Sequence, residues 1–141
     1  MEIGSFSLLP PWATQHNLHM DRTFLLIGAL AAFLGVAFGA FGAHALRARL
    51  SPASLEVFET GVRYQMYHAF ALLIVALALA RLDGWVVRTA GWLFTIGILL
   101  FSGSLYVVAL SGIRTFGAIT PIGGVAFLAG WALLVWAAIA R

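Results

Sequence analysis

Apolar residues along this chain fall into four long runs, residues 24–46, 64–80, 89–110 and 122–140. Each is close to the about 20 residues that carry a helix across a hydrocarbon core. Four crossings alternate in direction. The end of span 1, the start of span 2, the end of span 3 and the start of span 4 therefore share one side of the membrane. The polar interruptions of the runs gather at that end: His44, Tyr64, Gln65, His68, Ser102, Ser104, Tyr106 and Thr120. The pattern predicts an all-α, four-helix transmembrane bundle with both termini on one side and a polar cluster at the opposite end.

Small residues mark the expected contact faces. Span 1 carries Gly28, Ala31 or Ala32, Gly35, Gly39 and Gly42, and span 4 carries Gly123, Gly124 and Gly130. Helices in lipid associate by close packing, so Gly35, Gly39, Gly42 and Gly130 are expected at helix–helix interfaces. Between spans 1 and 2, Ser51-Pro52 reads as an N-cap with proline at the first helical position. Leu55, Phe58 and Val62 then form one face, and Glu56, Glu59 and Arg63 the other. This predicts a short amphipathic helix at the interface, with a bend at Gly61 before span 2. Residues 1–19, with Pro10-Pro11, His16 and His19, read as a tail or an extension upstream of a start at Met20. Residues 20–141 read as the membrane domain.

Composition closes off alternatives. Of 141 residues, 62% are apolar and 9% charged, and the mean hydropathy is +1.00. A water-soluble surface needs far more charge. There is no cysteine, which removes disulfides, thiolate nucleophiles, iron–sulfur ligation and covalent haem attachment. The net charge of +3 comes from eight arginines and no lysine. On a membrane chain, that excess points to lipid headgroups rather than nucleic acid.

Four stretches together resemble one family: Gly39-Ala40-Phe41-Gly42-Ala43-His44, Tyr64-Gln65-Met66-Tyr67-His68, Phe101-Ser102-Gly103-Ser104-Leu105-Tyr106, and Thr120-Pro121-Ile122-Gly123-Gly124 followed by Phe127 and Gly130-Trp131. They look like the signatures of family 423 among the domains of unknown function, small bacterial inner-membrane proteins that include the eukaryotic transmembrane protein 256. The likeness covers about residues 20–140. It implies a multi-pass inner-membrane protein with four helices, and it carries no catalytic residues.

The polar end admits several readings. Ionisable groups within membrane helices are costly and point to function. The same groups can also bond only to one another across helices, each bond contributing about 0.6 kcal/mol. Arg47, Arg49, Arg63 and Arg114 surround the cluster. The start of span 4 adds backbone N–H groups at Ile122, Gly123 and Gly124 with the positive end of the helix dipole. Membrane lipids are thus the expected partners, through a headgroup or a small anion. The candidate ligand cluster is His44, Arg47, Arg63, Tyr64, Gln65, His68, Ser102, Ser104, Tyr106, Arg114, Thr120, Gly123 and Gly124. No cofactor is expected. The alternatives are an accessory subunit of a larger membrane complex or a homo-oligomer. Weaker ones are a haem or metal held by His44 and His68, and a small transporter. No Asp or Glu lies in any span to carry protons, and Ser102 or Ser104 with His68 lacks an acid to orient a base, so the balance is against an enzyme. The arginines tie at four on each side, with Arg22, Arg81, Arg88 and Arg141 at the other end. Engagement of some of the cluster's arginines within the protein would tip the termini to the cytoplasm.

Overall fold

The computed structural model describes residues 11–80, 82 and 84–140, with side chains from Arg22 onward. Four helices are long and apolar enough to cross a membrane: Arg22–Leu46, Pro52–Leu79, Trp85–Ser111 and Arg114–Ile139. Helix α1 (Pro11–Phe41) ends in a π-helical turn, Gly42–Leu46. Helix α2 is Pro52–Leu79. Span 3 is α3 (Trp85–Gly97), a second π turn (Ile98–Ser102) and α4 (Gly103–Ser111). A 3₁₀ turn, Arg114–Ala118, leads into α5 (Thr120–Ile139). The described residues contain no strand, so the four-helix membrane bundle stands.

Two boundaries differ from expectation. Residues 11–19 of the expected tail are helical and run on into span 1. Residues 1–10, the side chains of His16 and His19, and residues Arg81, Asp83 and Arg141 lie outside the described residues. The amphipathic turns after Ser51 are helical and start as expected, with the Ser51 hydroxyl accepting from the Ser54 N–H at 3.1 Å. They are not a separate element, however, and the helix is not interrupted at Gly61. They are the first turns of an unbroken α2. The absent side chain of Gly61 makes room for the Tyr106 ring, because a Cβ there would fall 2.8 Å from Tyr106 Cε1.

Glycines set the register of the bundle. Gly28 faces Ala69 and Leu72, Gly35 faces Met66, Gly39 faces Val62 and Gly42 faces Phe58. Each step along α1 is matched by a similar step back along α2, as an antiparallel pair requires. The expected small-residue face of span 1 is thus spent within the chain, on α2. Span 3 and α5 interlock reciprocally. The Phe94 ring seats on Gly130, where a Cβ would fall 2.6 Å away, and the Phe127 ring seats on Gly97. Gly123 meets the backbone of Phe101, inside the π turn of span 3. Gly112, at φ 73°, ends α4 in the left-handed conformation that glycine adopts without strain. The largest core cluster, which includes Leu72, Val75, Val87, Phe94 and Phe127, lies between α2, span 3 and α5, and Phe24 of α1 joins it. By contrast, α1 leans almost wholly on α2 and touches α3 only lightly.

Candidate functional site

Gln65 is the polar hub of the bundle. Its side chain is 4% exposed. Nε2 donates to the Ala31 carbonyl of α1 at 2.8 Å, and Oε1 accepts from the Tyr106 hydroxyl of α4 at 2.8 Å. One amide thereby ties three helices where no water can replace a lost bond. Tyr106 also packs edge-on against Phe38 at 5.2 Å and tilted against Phe58 at 4.9 Å, so its ring and its hydroxyl serve separate contacts.

His68, one turn further along α2, sits in an aromatic slot. Its ring stacks on Phe127 with centroids 3.4 Å apart and planes 5° from parallel. Nδ1 lies 2.8 Å from the Tyr64 carbonyl, and Nε2 lies 3.3 Å from Trp131 Nε1. A carbonyl only accepts and an indole N–H only donates. The bonding pattern therefore assigns the proton to Nδ1 and leaves Nε2 as the acceptor, a neutral imidazole. Tyr64 joins the slot through its ring, 4.6 Å from Phe101.

A third contact closes the polar end. Ser104 Oγ donates to the Phe101 carbonyl at 2.9 Å and lies 2.7 Å from Thr120 Oγ1. With its single proton spent on Phe101, Ser104 accepts from Thr120. Ser102 is fully buried, and its hydroxyl has no hydrogen-bond partner among the described residues.

The expected single cluster is therefore several separate ones. His44 is the largest departure. It lies exposed in the π turn that ends span 1, and no described side chain bonds it. The α1–α2 register puts it level with residue 56. His68 lies 12 residues further along α2, about 18 Å at the helical rise. The two histidines are not neighbours, and an iron or metal held between them fails on that distance and on the engagement of both His68 nitrogens. No group of three potential metal ligands occurs among the described residues. The start of span 4 also differs. The Ile122 and Gly123 N–H groups both donate to the Ile119 carbonyl, at 3.0 and 3.4 Å, and Phe101 rather than a ligand fills the space at Gly123. Gly124 is open apart from the Phe101 ring, 3.8 Å from a Cβ placed there.

The arginines remain at the surface. Arg47, Arg49, Arg63 and Arg114 are all exposed. Arg63 donates to Thr60 Oγ1 at 3.0 Å. A hollow of about 360 Å³ at this end is lined by Arg47, Leu50, Pro52, Leu55, Glu56 and Glu59. Periodicity did not single out Trp131, Phe94, Phe127 or Ala31 as partners of the polar residues. A signal for Trp131 was present: tryptophans favour the membrane interface, and one in mid-span needs an acceptor for its N–H.

Comparison with known proteins agrees with the motifs. Residues 38–124 match the family model described as "Protein of unknown function (DUF423)". The chain is 49% identical over 119 residues to UPF0382 membrane protein YwdK of Bacillus subtilis, covering 84% of this chain and 97% of that protein. It is 43% identical over 120 residues to UPF0382 inner membrane protein YgdD of Escherichia coli K12, covering 84% of this chain and 91% of that one. No solved structure matches. The shared motifs, the four apolar helices and the family match, which covers more than half the chain, converge: this chain is a multi-pass membrane protein that belongs to the DUF423 family.

Proposed function

We propose that the protein binds phospholipid at its polar end, through the phosphate group that a lipid head shares with free phosphate. One observation carries the reading. Arg47, Arg49 and Arg114 make no hydrogen bond or ion pair with any described residue, although they stand at the level where headgroups lie. Guanidinium groups present paired donors that match phosphate oxygens. Glu56 and Glu59 share the hollow with Arg47, which suits a head carrying both a phosphate and an ammonium. With the termini in the cytoplasm, this end faces outward.

Native mass spectrometry of the full chain, released from vesicles of phosphatidylglycerol, phosphatidylethanolamine and phosphatidylcholine, tests the proposal. The wild type should retain phospholipid, less so as salt rises. Arg47→Gln and Arg114→Gln should each lower retention. Displacement by inorganic phosphate alone would identify a free-anion site. Equal retention by wild type and both variants would remove the headgroup function and leave the arginines as interfacial anchors.

A further inference from the structure

A second site lies deeper, between span 1 and span 3. Because α1 leans mainly on α2 and meets span 3 only through a few side chains, a hollow of about 340 Å³ is left between them. Leu30 and Leu34 form one wall, Thr95, Leu99 and Gly103 the other, and Gln65 the floor. The edge-on contact of Phe38 with Tyr106 at 5.2 Å closes one end. Along α1 the lining runs from Ile27 to Phe38, about 17 Å of helix. The hollow thus covers about half of a 30 Å hydrocarbon core and opens sideways into it.

Gly103 separates this hollow from ordinary surface relief. Gly28, Gly35, Gly42, Gly61, Gly91, Gly97, Gly123 and Gly130 each have protein atoms pressed into the space a side chain would fill. At Gly103, two turns inside the end of span 3, a Cβ would meet nothing within 4 Å. The polar groups on the walls are already engaged. Thr95 donates to the Gly91 carbonyl, Tyr106 donates to Gln65, and Gln65 donates to Ala31. Nothing in the hollow is arranged for a headgroup. A helix is about 10 Å across, so a 17 Å length of one fills roughly 1,300 Å³, far more than the hollow offers. We propose that this hollow is a binding site for one hydrocarbon chain of a membrane lipid, lying against the bare backbone at Gly103. The site stands whether or not the arginines bind headgroups.

The test uses the full chain in phosphatidylcholine vesicles containing a trace of phosphatidylcholine with a mid-chain diazirine. After irradiation, peptide mapping compares labelling at Leu99 and Leu34 with labelling at Leu128, on the outward face of α5 and 72% exposed. A bound chain labels the hollow severalfold more than the α5 face. Gly103→Leu fills the space and removes that excess, with Leu128 labelling and thermal stability unchanged. Gly103→Ala gives an intermediate loss. Equal labelling at both places in the wild type, or an excess that survives Gly103→Leu, overturns the proposal. So does labelling of the hollow below that of α5 with cross-linked dimers, which would mean that a second copy covers it. None of these readouts depends on Arg47 or Arg114, so the two proposals stand or fall separately.

Discussion

A single amide ties three helices of this bundle. Gln65 holds α1 through a main-chain carbonyl and α4 through a phenol. Replacing it with leucine leaves the Tyr106 hydroxyl without an acceptor in a place water cannot reach. The expected cost is about 1–2 kcal/mol. Tyr106→Phe keeps the contacts with Phe38 and Phe58 and loses only the donor, for about 0.6 kcal/mol. The double variant should cost less than the two single changes combined, because both remove the same bond. Unfolding titrations in mixed micelles measure all three. Strict additivity would mean that the bond contributes nothing. The sequence placed Gln65 and Tyr106 in one polar group because alternating passes bring them to one end. It did not disclose Ala31 as the third member, since a main-chain acceptor has no signature in residue type. His44 misled for a related reason. Polar character and nearness to a span end put it on the right side of the membrane, but depth depends on where α2 begins, and α2 begins twelve residues before the apolar run.

At the scale of the helix, glycine spacing was legible and the role of each glycine was not. Gly35 and Gly39 form a GxxxG pair facing α2, yet Gly39 is the looser of the two: a Cβ there would lie 3.5 Å from Val62, an ordinary contact. The tight places are elsewhere. A Cβ at Gly28 would fall 3.0 Å from the Ala69 carbonyl oxygen, and one at Gly123 would meet the Phe101 backbone. A side chain can turn aside, whereas a backbone held in a helix cannot. Gly39→Ala should therefore be neutral, or stabilising by up to about 1 kcal/mol through helix propensity. Gly123→Ala should cost about 1–3 kcal/mol by overpacking. Thermal unfolding in detergent gives the order, and a larger loss at Gly39 than at Gly123 would overturn the register. The π turns explain why periodicity alone could not have found the Gly123 contact. Each inserts a residue into the helical count, and the one at Ile98–Ser102 brings Phe101 onto α5.

The whole molecule is two helices at the centre, α2 and span 3, with α1 on one flank and α5 on the other. The α5 side is filled by interlocked rings and glycines, and the α1 side is left with the hollow. Four crossings, an all-α fold and the shared side of the polar residues were legible because hydropathy and span length fix them. Which flank closes tightly was not legible, because that depends on shape matching between side chains such as Phe127 and Gly97. Four crossings place Ser51 and Ser111 on one side of the membrane, and Leu82 and Ala140 on the other. The absence of native cysteine makes this directly measurable. Single cysteines at the four positions, in vesicles of known sidedness treated with a membrane-impermeant maleimide, should label in those two pairs. With the termini in the cytoplasm, Ser51→Cys and Ser111→Cys react in right-side-out vesicles, and Leu82→Cys and Ala140→Cys react only after inversion or permeabilisation. The reverse assignment would keep the fold and turn the arginine end inward, where the surface potential of anionic lipids would hold it more strongly. Labelling of Ser51→Cys and Ser111→Cys from opposite sides would mean that span 2 or span 3 does not cross, and the four-crossing bundle would be wrong.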